Sequence, residues 1–126
     1  MPSMKIVLPY CTDISINRKY KDRAFHKATG YKDYQEMVYW ECIKTGKFRD
    51  FKKQTKTYFD TIVYRPDMRT DVTDNFMKGI FDAVQKAIGV RDSWYAIKSW
   101  DWVNLACKKG DKECLRSARL EITITQ

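Results

Sequence analysis

The sequence predicts a single α/β domain, a small mixed β-sheet packed by two main helices in the order strand, helix, strand, helix, strand, strand. Its 126 residues suffice for one hydrophobic core but not comfortably for two, so residues 1–126 are treated as one domain. Apolar residues alternate with a period of two in residues 57–65 and 120–124, which is typical of strands. They recur at helical spacing in residues 31–45 and 74–88.

Four segments have the composition of strands. Residues 4–9 predict the first, and Pro9 ends it because proline cannot donate to a ladder. Residues 57–65 predict the second strand, and residues 97–103, with two tryptophans, predict the third. The last strand is predicted at residues 120–124, where Leu and Ile alternate with Glu and Thr.

Two segments predict amphipathic helices, each followed by a glycine suited to end it. The first helix covers residues 31–45 and is followed by Gly46. The second opens at Asp74 and ends before Gly89, a residue type that readily adopts the left-handed backbone conformation at a helix end. Its apolar stripe consists of Phe76, Met77, Ile80, Phe81, Val84, Ala87 and Ile88.

The chain is strongly basic, since 24 Lys and Arg face 16 Asp and Glu for a net charge of +8. This excess predicts attraction to polyanions, with nucleic acid as the default partner, although a basic protein without such a partner is an equal alternative on charge alone. The basic segment of residues 47–56 is either an exposed connection or part of a surface that follows a DNA backbone. No apolar run approaches the roughly 20 residues of a membrane span, and no secretory leader is evident, so we expect a soluble, cytoplasmic protein without a membrane partner.

The cysteines show no metal-binding pattern. None of the four forms a C-x-x-C pair, and His26 is the sole histidine, so a zinc finger or ribbon is not expected. A lone histidine in a basic loop is also a weak candidate for a general base. In a cytosolic protein we expect the four cysteines to be reduced thiols.

A group of carboxylates and a lysine surrounds the second helix. Asp71 and Asp74 precede Lys78, and Asp92 follows the helix. Oxygen ligands suit Mg²⁺, which usually sits between one or two protein carboxylates and a substrate phosphate. The alternative is structural, because Asp74 is also a good N-cap and Lys78 four residues later forms an ordinary helix-surface pair. We interpret Asp82, eight residues after Asp74, as either a neighbour of the site or a solvated residue.

Several motifs together resemble the RusA-type Holliday junction resolvases, a family often encoded by phages and prophages. The most specific is Asp74-Asn75-x-x-Lys78, preceded by Pro66-Asp67-Met68-Arg69-Thr70-Asp71 and followed by Phe81-Asp82-Ala83 and Gly89-Val90 with Asp92. The opening Leu8-Pro9 with Ser15-Ile16-Asn17-Arg18-Lys19-Tyr20, the stretch Tyr31 to Glu36 and the final Arg119-Leu120-Glu121-Ile122-Thr123-Ile124 are also similar to the family's pattern. The resemblance covers nearly the whole chain.

This resemblance implies a homodimeric, Mg²⁺-dependent endodeoxyribonuclease that resolves four-way DNA junctions by paired symmetric nicks in recombination and repair. Mn²⁺ is expected to substitute for Mg²⁺, and the expected location is the cytoplasm of a bacterial cell. The resemblance assigns the metal to Asp71, Asp74 and Asp92, and assigns stabilisation of the developing negative charge to Lys78. The residues implied to bind DNA are Arg69, Asn75, Asn17, Arg18 and Lys19.

Other functions stay open. Asp71 and Asp74 are separated by two residues where the family has one, and Asp92 is followed by serine where the family usually has a second aspartate. These departures favour the alternative of a protein that binds branched DNA without cutting it. A basic protein-interaction domain is a third hypothesis. Trp94, Trp100 and Trp102 are interpreted as core or dimer contacts in preference to base-stacking residues.

Overall fold

The computed structural model describes residues 2–10, 29–68 and 74–126, with the backbone alone for residues 29–31 and 74–77. Short 3-10 turns lie at Lys47–Asp50 and Asp92–Trp94. None of the described helices has the length and apolar character needed to cross a bilayer. The described elements are β1 (Ser3–Pro9), α1 (Thr29–Lys44), β2 (Thr57–Arg65), α2 (Asp74–Ile88), β3 (Tyr95–Asn104), α3 (Lys112–Ser117) and β4 (Arg119–Thr125).

The described strands form one mixed sheet in the order β1-β4-β2-β3, which confirms the predicted fold class. β4 is antiparallel to both of its neighbours, whereas β2 and β3 are parallel. The register of the three strands is given by Val63 of β2, which lies opposite Leu120 of β4 and opposite Trp102 of β3. Parallel neighbours require a crossover connection, and α2 supplies it between β2 and β3. α2 therefore starts near the carboxyl ends of β2 and β3, and it ends near their amino ends.

The hydrophobic core lies between one face of the sheet and the two long helices. β1 and β4 alternate strictly, and every second residue of each is at most 2% exposed. Each helix contributes residues four apart, because positions i, i+4 and i+8 share one helical face. These helix residues are Tyr34, Val38 and Cys42 of α1 and Ile80, Val84 and Ile88 of α2. The helices also contact each other, and Gln35 Nε2 donates a hydrogen bond of 3.1 Å to the Gly79 carbonyl.

The other face of the sheet is not covered by any described element. Val7 and Ile62 are 46% and 37% exposed there. Glu121 links two cations on this face, at 2.7 Å from Arg119 and 3.3 Å from Lys5. Hydrogen bonding to Arg119 and then to Lys5 lowers the pKa of Glu121. With Asp60 and Asp101 also on this face by register, the charges nearly cancel, so the open face is not where the basic excess lies.

Both predicted helix ends are confirmed. Gly46 and Gly89 have φ angles of +70° and +74°, the left-handed conformation that glycine adopts at least cost. The Gly89 N–H donates to the Gln85 carbonyl at 2.9 Å and so closes the last turn of α2. The structure adds α3, a short helix between β3 and β4 that no predicted element covers, and Asp111 caps it by accepting from the Cys114 N–H. Six residues are too few for a clear period, which is why the sequence does not signal α3.

Replacing Phe59 by Ala is expected to lower the free energy of unfolding by about 3–5 kcal/mol. The side chain is fully buried, and its ring centroid lies 4.8 Å from that of Phe81 and 4.7 Å from that of Tyr95. Ile62→Ala in the same strand is the control, because Ile62 faces the open side and should cost about 1 kcal/mol or less. Urea denaturation followed by circular dichroism measures both. Equal losses for the two variants would contradict this account of the core.

Candidate functional site

The group with the strongest sequence signal lies at the amino-terminal end of α2. The helix begins at Asp74, nine residues after Arg65, which is the last residue of β2 and pairs with Asn104 of β3. Lys78 is exposed and lies one helical turn further on. Arg69 and Asp71 lie outside the described residues, as do the side chains of the first four residues of α2, including Asn75.

The predicted DNA contacts of the opening loop also lie outside the described residues. These are Asn17, Arg18 and Lys19, and His26 falls in the same range. The resemblance therefore remains the basis for their proposed roles.

Asp92 lies at the opposite end of α2 from Asp74. It begins the 3-10 turn that follows the helix, and its backbone N–H donates to Gln85 Oε1 at 3.2 Å. A 15-residue α-helix is about 21 Å long, because each residue adds about 1.5 Å. A single Mg²⁺ requires ligand oxygens about 2.1 Å from the ion. One chain therefore does not bring the Asp92 carboxylate beside the start of α2.

A metal site is not complete within the described part of the chain. Those residues contain no group of three or more His, Cys, Asp or Glu side chains placed to hold an ion. Asp71 and Asp74 have the oxygen chemistry that Mg²⁺ prefers, and both side chains lie outside the described residues. The chemistry of this pair suits the ion, whereas the position of Asp92 does not suit the same ion in the same chain.

The carboxyl ends of β2 and β3 carry an aromatic and cationic pair that the sequence does not reveal. Arg65 is only 6% exposed, and its guanidinium carbon lies 5.4 Å from the ring centroid of Trp102. The Trp102 side chain remains 44% exposed. Arg65 Nε also donates to the Asp67 carbonyl at 3.0 Å, which helps to hold the guanidinium in place. Val63, Arg65 and Trp102 face the same side of the sheet because β2 and β3 are parallel and paired in this register.

The tryptophans differ in their environments. Trp100 is partly buried and packs against the core, in keeping with the packing role expected for it. Trp94 is 40% exposed and lies before β3, at the opposite end of that strand from Trp102. Neither Trp94 nor Trp102 is a core residue of the described chain, so of the predicted core or dimer contacts only a dimer contact stays a prediction for these two.

Near the carboxyl ends of β2 and β3, a disulfide between Cys107 and Cys114 closes a short loop, here called the disulfide loop. The expectation of reduced thiols is therefore wrong for this pair, while Cys42 is a free, buried thiol and Cys11 lies outside the described residues. The seven-residue separation around a glycine turn was the available signal for a short bridged loop. The loop carries exposed lysines at 108, 109 and 112 and exposed acids at 111 and 113, so it is only weakly basic.

Backbone hydrogen bonds fix this loop to the chain that leaves β2. The Leu105 N–H donates to the Arg65 carbonyl, and the Cys107 N–H donates to the Pro66 carbonyl, both at 2.8 Å. The disulfide loop therefore lies next to the strand end from which the chain proceeds towards α2.

A second basic surface lies near the other end of α2. Residues 47–56 contain five lysines and arginines, all of them exposed, which agrees with both interpretations of this segment. The side chain of Gln126 joins it to the sheet by accepting from the Lys52 N–H and donating to the Lys52 carbonyl, each at 2.8 Å. Lys53 Cε lies 3.5 Å from where a Cβ on Gly89 would be, so the segment reaches the carboxyl end of α2.

Two buried groups are unsuited to catalysis at neutral pH. Burial, followed by the charge of Glu41, raises the pKa of the Cys42 thiol to about 12. Burial, followed by the charge of Asp92, raises the pKa of Tyr95, whose hydroxyl donates to the Val90 carbonyl at 2.8 Å. Both groups stay protonated, so neither is a nucleophile or a general base.

A groove of about 570 Å³ lies between α1 and α2. It contains two lysines and one glutamate but no pair of carboxylates, and its apolar lining is a tyrosine ring and an alanine. The lining residues are Lys32, Gln35, Glu36, Tyr39, Ala83 and Lys86. This composition suggests a solvated interhelical groove and not a centre for phosphodiester chemistry.

Comparison with models of known protein families found no match for this chain. Comparison with curated protein sequences likewise found no match.

Reduction of the 107–114 disulfide is expected to lower stability by about 2–3 kcal/mol, because the bridge restricts a short loop in the unfolded chain. Thermal unfolding with and without dithiothreitol measures the effect. The double variant C107S/C114S serves as the control, since dithiothreitol should not change its melting temperature. Unchanged melting of the native protein in dithiothreitol would contradict a structural role for the bridge.

Cys42 is expected to resist alkylation in the folded protein at pH 7 to 9, reacting at least about a hundredfold more slowly than in the unfolded chain. A pKa of about 12 leaves only about one thiolate in 10³ or fewer even at pH 9, and burial blocks the reagent. Iodoacetamide labelling followed by peptide mass spectrometry gives the rate, and the protein unfolded in urea provides the reference for full labelling. Labelling of folded Cys42 at a rate within about tenfold of the unfolded reference would indicate an ordinary, accessible thiol.

Proposed function

We propose that this chain is a Mg²⁺-dependent, structure-selective endodeoxyribonuclease of the RusA type, which resolves four-way DNA junctions by paired symmetric nicks in recombination and repair. One structural observation carries the proposal beyond the resemblance. The motif Asp74-Asn75-x-x-Lys78 opens the crossover helix α2 just after β2 has ended. Ligand sites in α/β sheets favour the carboxyl ends of parallel strands, and β2 and β3 are such a pair.

Each residue of the proposed site has a distinct role. Asp71 and Asp74 provide oxygen ligands for the ion, and the exposed ammonium of Lys78 stabilises negative charge that develops on the phosphate. When bound, Mg²⁺ polarises the scissile phosphate and lowers the pKa of a water molecule. Arg69 and Asn75 position the DNA backbone beside them, and Asn17, Arg18 and Lys19 extend that contact.

The basic surfaces support binding to a branched polyanion. The exposed lysines of the disulfide loop lie near the carboxyl end of β2. The basic segment 47–56 reaches the carboxyl end of α2. Cations at both ends of the helix suit a substrate whose arms diverge, because each arm offers its own row of phosphates. The nearly neutral open face of the sheet is left for other contacts, including those of the proposed homodimer.

Asp92 can act as a ligand of the proposed metal centre only if it comes from the second subunit of a homodimer. In its own chain it lies about one helix length from the start of α2. A two-fold dimer presents each residue twice, so Asp92 of one subunit can meet Asp74 of the other.

The second candidate function is a protein that binds branched DNA without cutting it. It is favoured by the two-residue gap between Asp71 and Asp74 and by the distant position of Asp92. Labelled four-way junctions and linear duplex, incubated in Mg²⁺, Mn²⁺ or EDTA, discriminate the two functions. Symmetric nicks that require metal support the nuclease, whereas bound but uncut junctions support the binding protein.

Asp74→Asn is expected to reduce junction cleavage at least a hundredfold while leaving junction binding within about twofold, because it removes a ligand oxygen charge but little DNA contact. Cleavage in Mg²⁺ and binding in EDTA are measured on the same labelled junction. Asp82→Asn is the matched control two turns further along α2, and it should retain cleavage. Full cleavage by purified Asp74→Asn protein would refute the site.

A mixture of Asp74→Asn and Asp92→Asn proteins, unfolded and refolded together, is expected to recover about a quarter of the wild-type nicking rate. Half of the dimers would be mixed, and each mixed dimer would combine one intact site with one doubly changed site. Nicking assays on the mixture and on each variant alone make the measurement. Two results would show that Asp92 is not part of the metal centre. One is wild-type nicking by Asp92→Asn protein alone, and the other is a lack of nicking by mixed dimers that form normally.

A further inference from the structure

Trp102 offers one rigid, solvent-facing aromatic surface at the carboxyl end of β3. Its backbone is held by the β2–β3 ladder, in which it lies opposite Val63, and its N–H donates to Asp101 Oδ1 at 2.8 Å. The buried guanidinium of Arg65 lies over the ring at 5.4 Å, while 44% of the side chain remains exposed. The ring is thus supported by protein and open to a partner.

The surroundings of this ring suit a planar, uncharged group attached to phosphates. The two chain neighbours of Trp102 in β3 face the other side of the sheet, so they do not widen the exposed ring into the broad apolar centre typical of a protein interface. The disulfide loop, which presents three exposed lysines and two exposed acids, is attached by the Cys107 N–H to the Pro66 carbonyl, just beyond the strand end. Aromatic rings next to cationic grooves bind single-stranded nucleic acid by stacking on bases.

We propose that Trp102 stacks on an unpaired base where the DNA strands separate, and that Arg65 holds the ring in position for it. The stacking proposal rests on the proposed function, since it assumes that branched DNA binds at the carboxyl ends of β2 and β3, where α2 begins. It also assigns a role to a residue outside the Asp-Asn-x-x-Lys motif. Little side-chain freedom is lost on binding because the ring is already fixed, so the contact contributes efficiently to affinity.

The test compares two labelled DNAs in EDTA, a four-way junction with one unpaired thymine at the crossover and a duplex of the same length. Trp102→Ala is expected to weaken junction binding about tenfold while changing duplex binding less than twofold. Trp102→Phe should retain junction affinity within about threefold, because a smaller ring still stacks. Trp94→Ala removes a comparably exposed tryptophan at the other end of β3 and should leave both affinities unchanged.

The outcomes separate this inference from the function on which it rests. If the wild-type protein binds neither DNA at low salt, the nucleic-acid function fails and stacking fails with it. If the wild-type protein binds the junction but Trp102→Ala binds it equally well, or loses junction and duplex affinity in parallel, stacking alone is overturned.

A second measurement does not depend on the folding of any variant. Wild-type protein is irradiated with a junction that carries 5-bromouracil at the unpaired position, and the adduct is located by peptide mass spectrometry. The expected adduct is on Trp102. An adduct confined to Trp94 or Trp40 would overturn the proposal.

Discussion

Everything proposed for this chain depends on how Phe59 holds α2 against the parallel strand pair. Phe59 lies in β2, and its ring contacts Phe81 of α2 and Tyr95 of β3. Phe81 and Tyr95 also contact each other edge to face, at 5.4 Å between centroids. Three rings from three elements thus meet in one cluster, and aromatic pairs of this kind add stabilisation beyond the area they bury. The cluster aligns the crossover helix with both strands that it connects.

Because α2 is fixed in this way, its two ends have different chemical surroundings. The amino-terminal end carries Asp74 and the exposed Lys78, and it lies towards the strand ends that hold Trp102 and the disulfide loop. The carboxyl-terminal end carries Asp92, held to Gln85, and the basic segment that reaches Gly89. A helix cannot shorten to bring its ends together, so two acids that flank it in sequence are separated in space. A subunit interface is the remaining way to combine them.

The charge of the molecule is unevenly distributed over its surface. The open sheet face pairs its cations with carboxylates, as at Glu121 with Lys5 and Arg119. Within the described residues, a clear excess falls in residues 47–56, where five lysines and arginines stand against Asp50 alone. Exposed cations on loops around a rigid sheet are suited to following a phosphate backbone, whereas a neutral face tolerates contact with a second protein surface. The fold therefore separates an exposed cationic connection from a nearly neutral sheet face.

By itself, the sequence determined the elements whose side chains follow a clear period or a distinct stop signal. The strand at residues 57–65 and the helix ends at Gly46 and Gly89 were predictable because alternation and glycine are local properties. Tertiary structure alone decided what depends on strand order and register, which no local pattern encodes. It placed Arg65 against Trp102, because this contact arises only when two parallel strands are paired in this register.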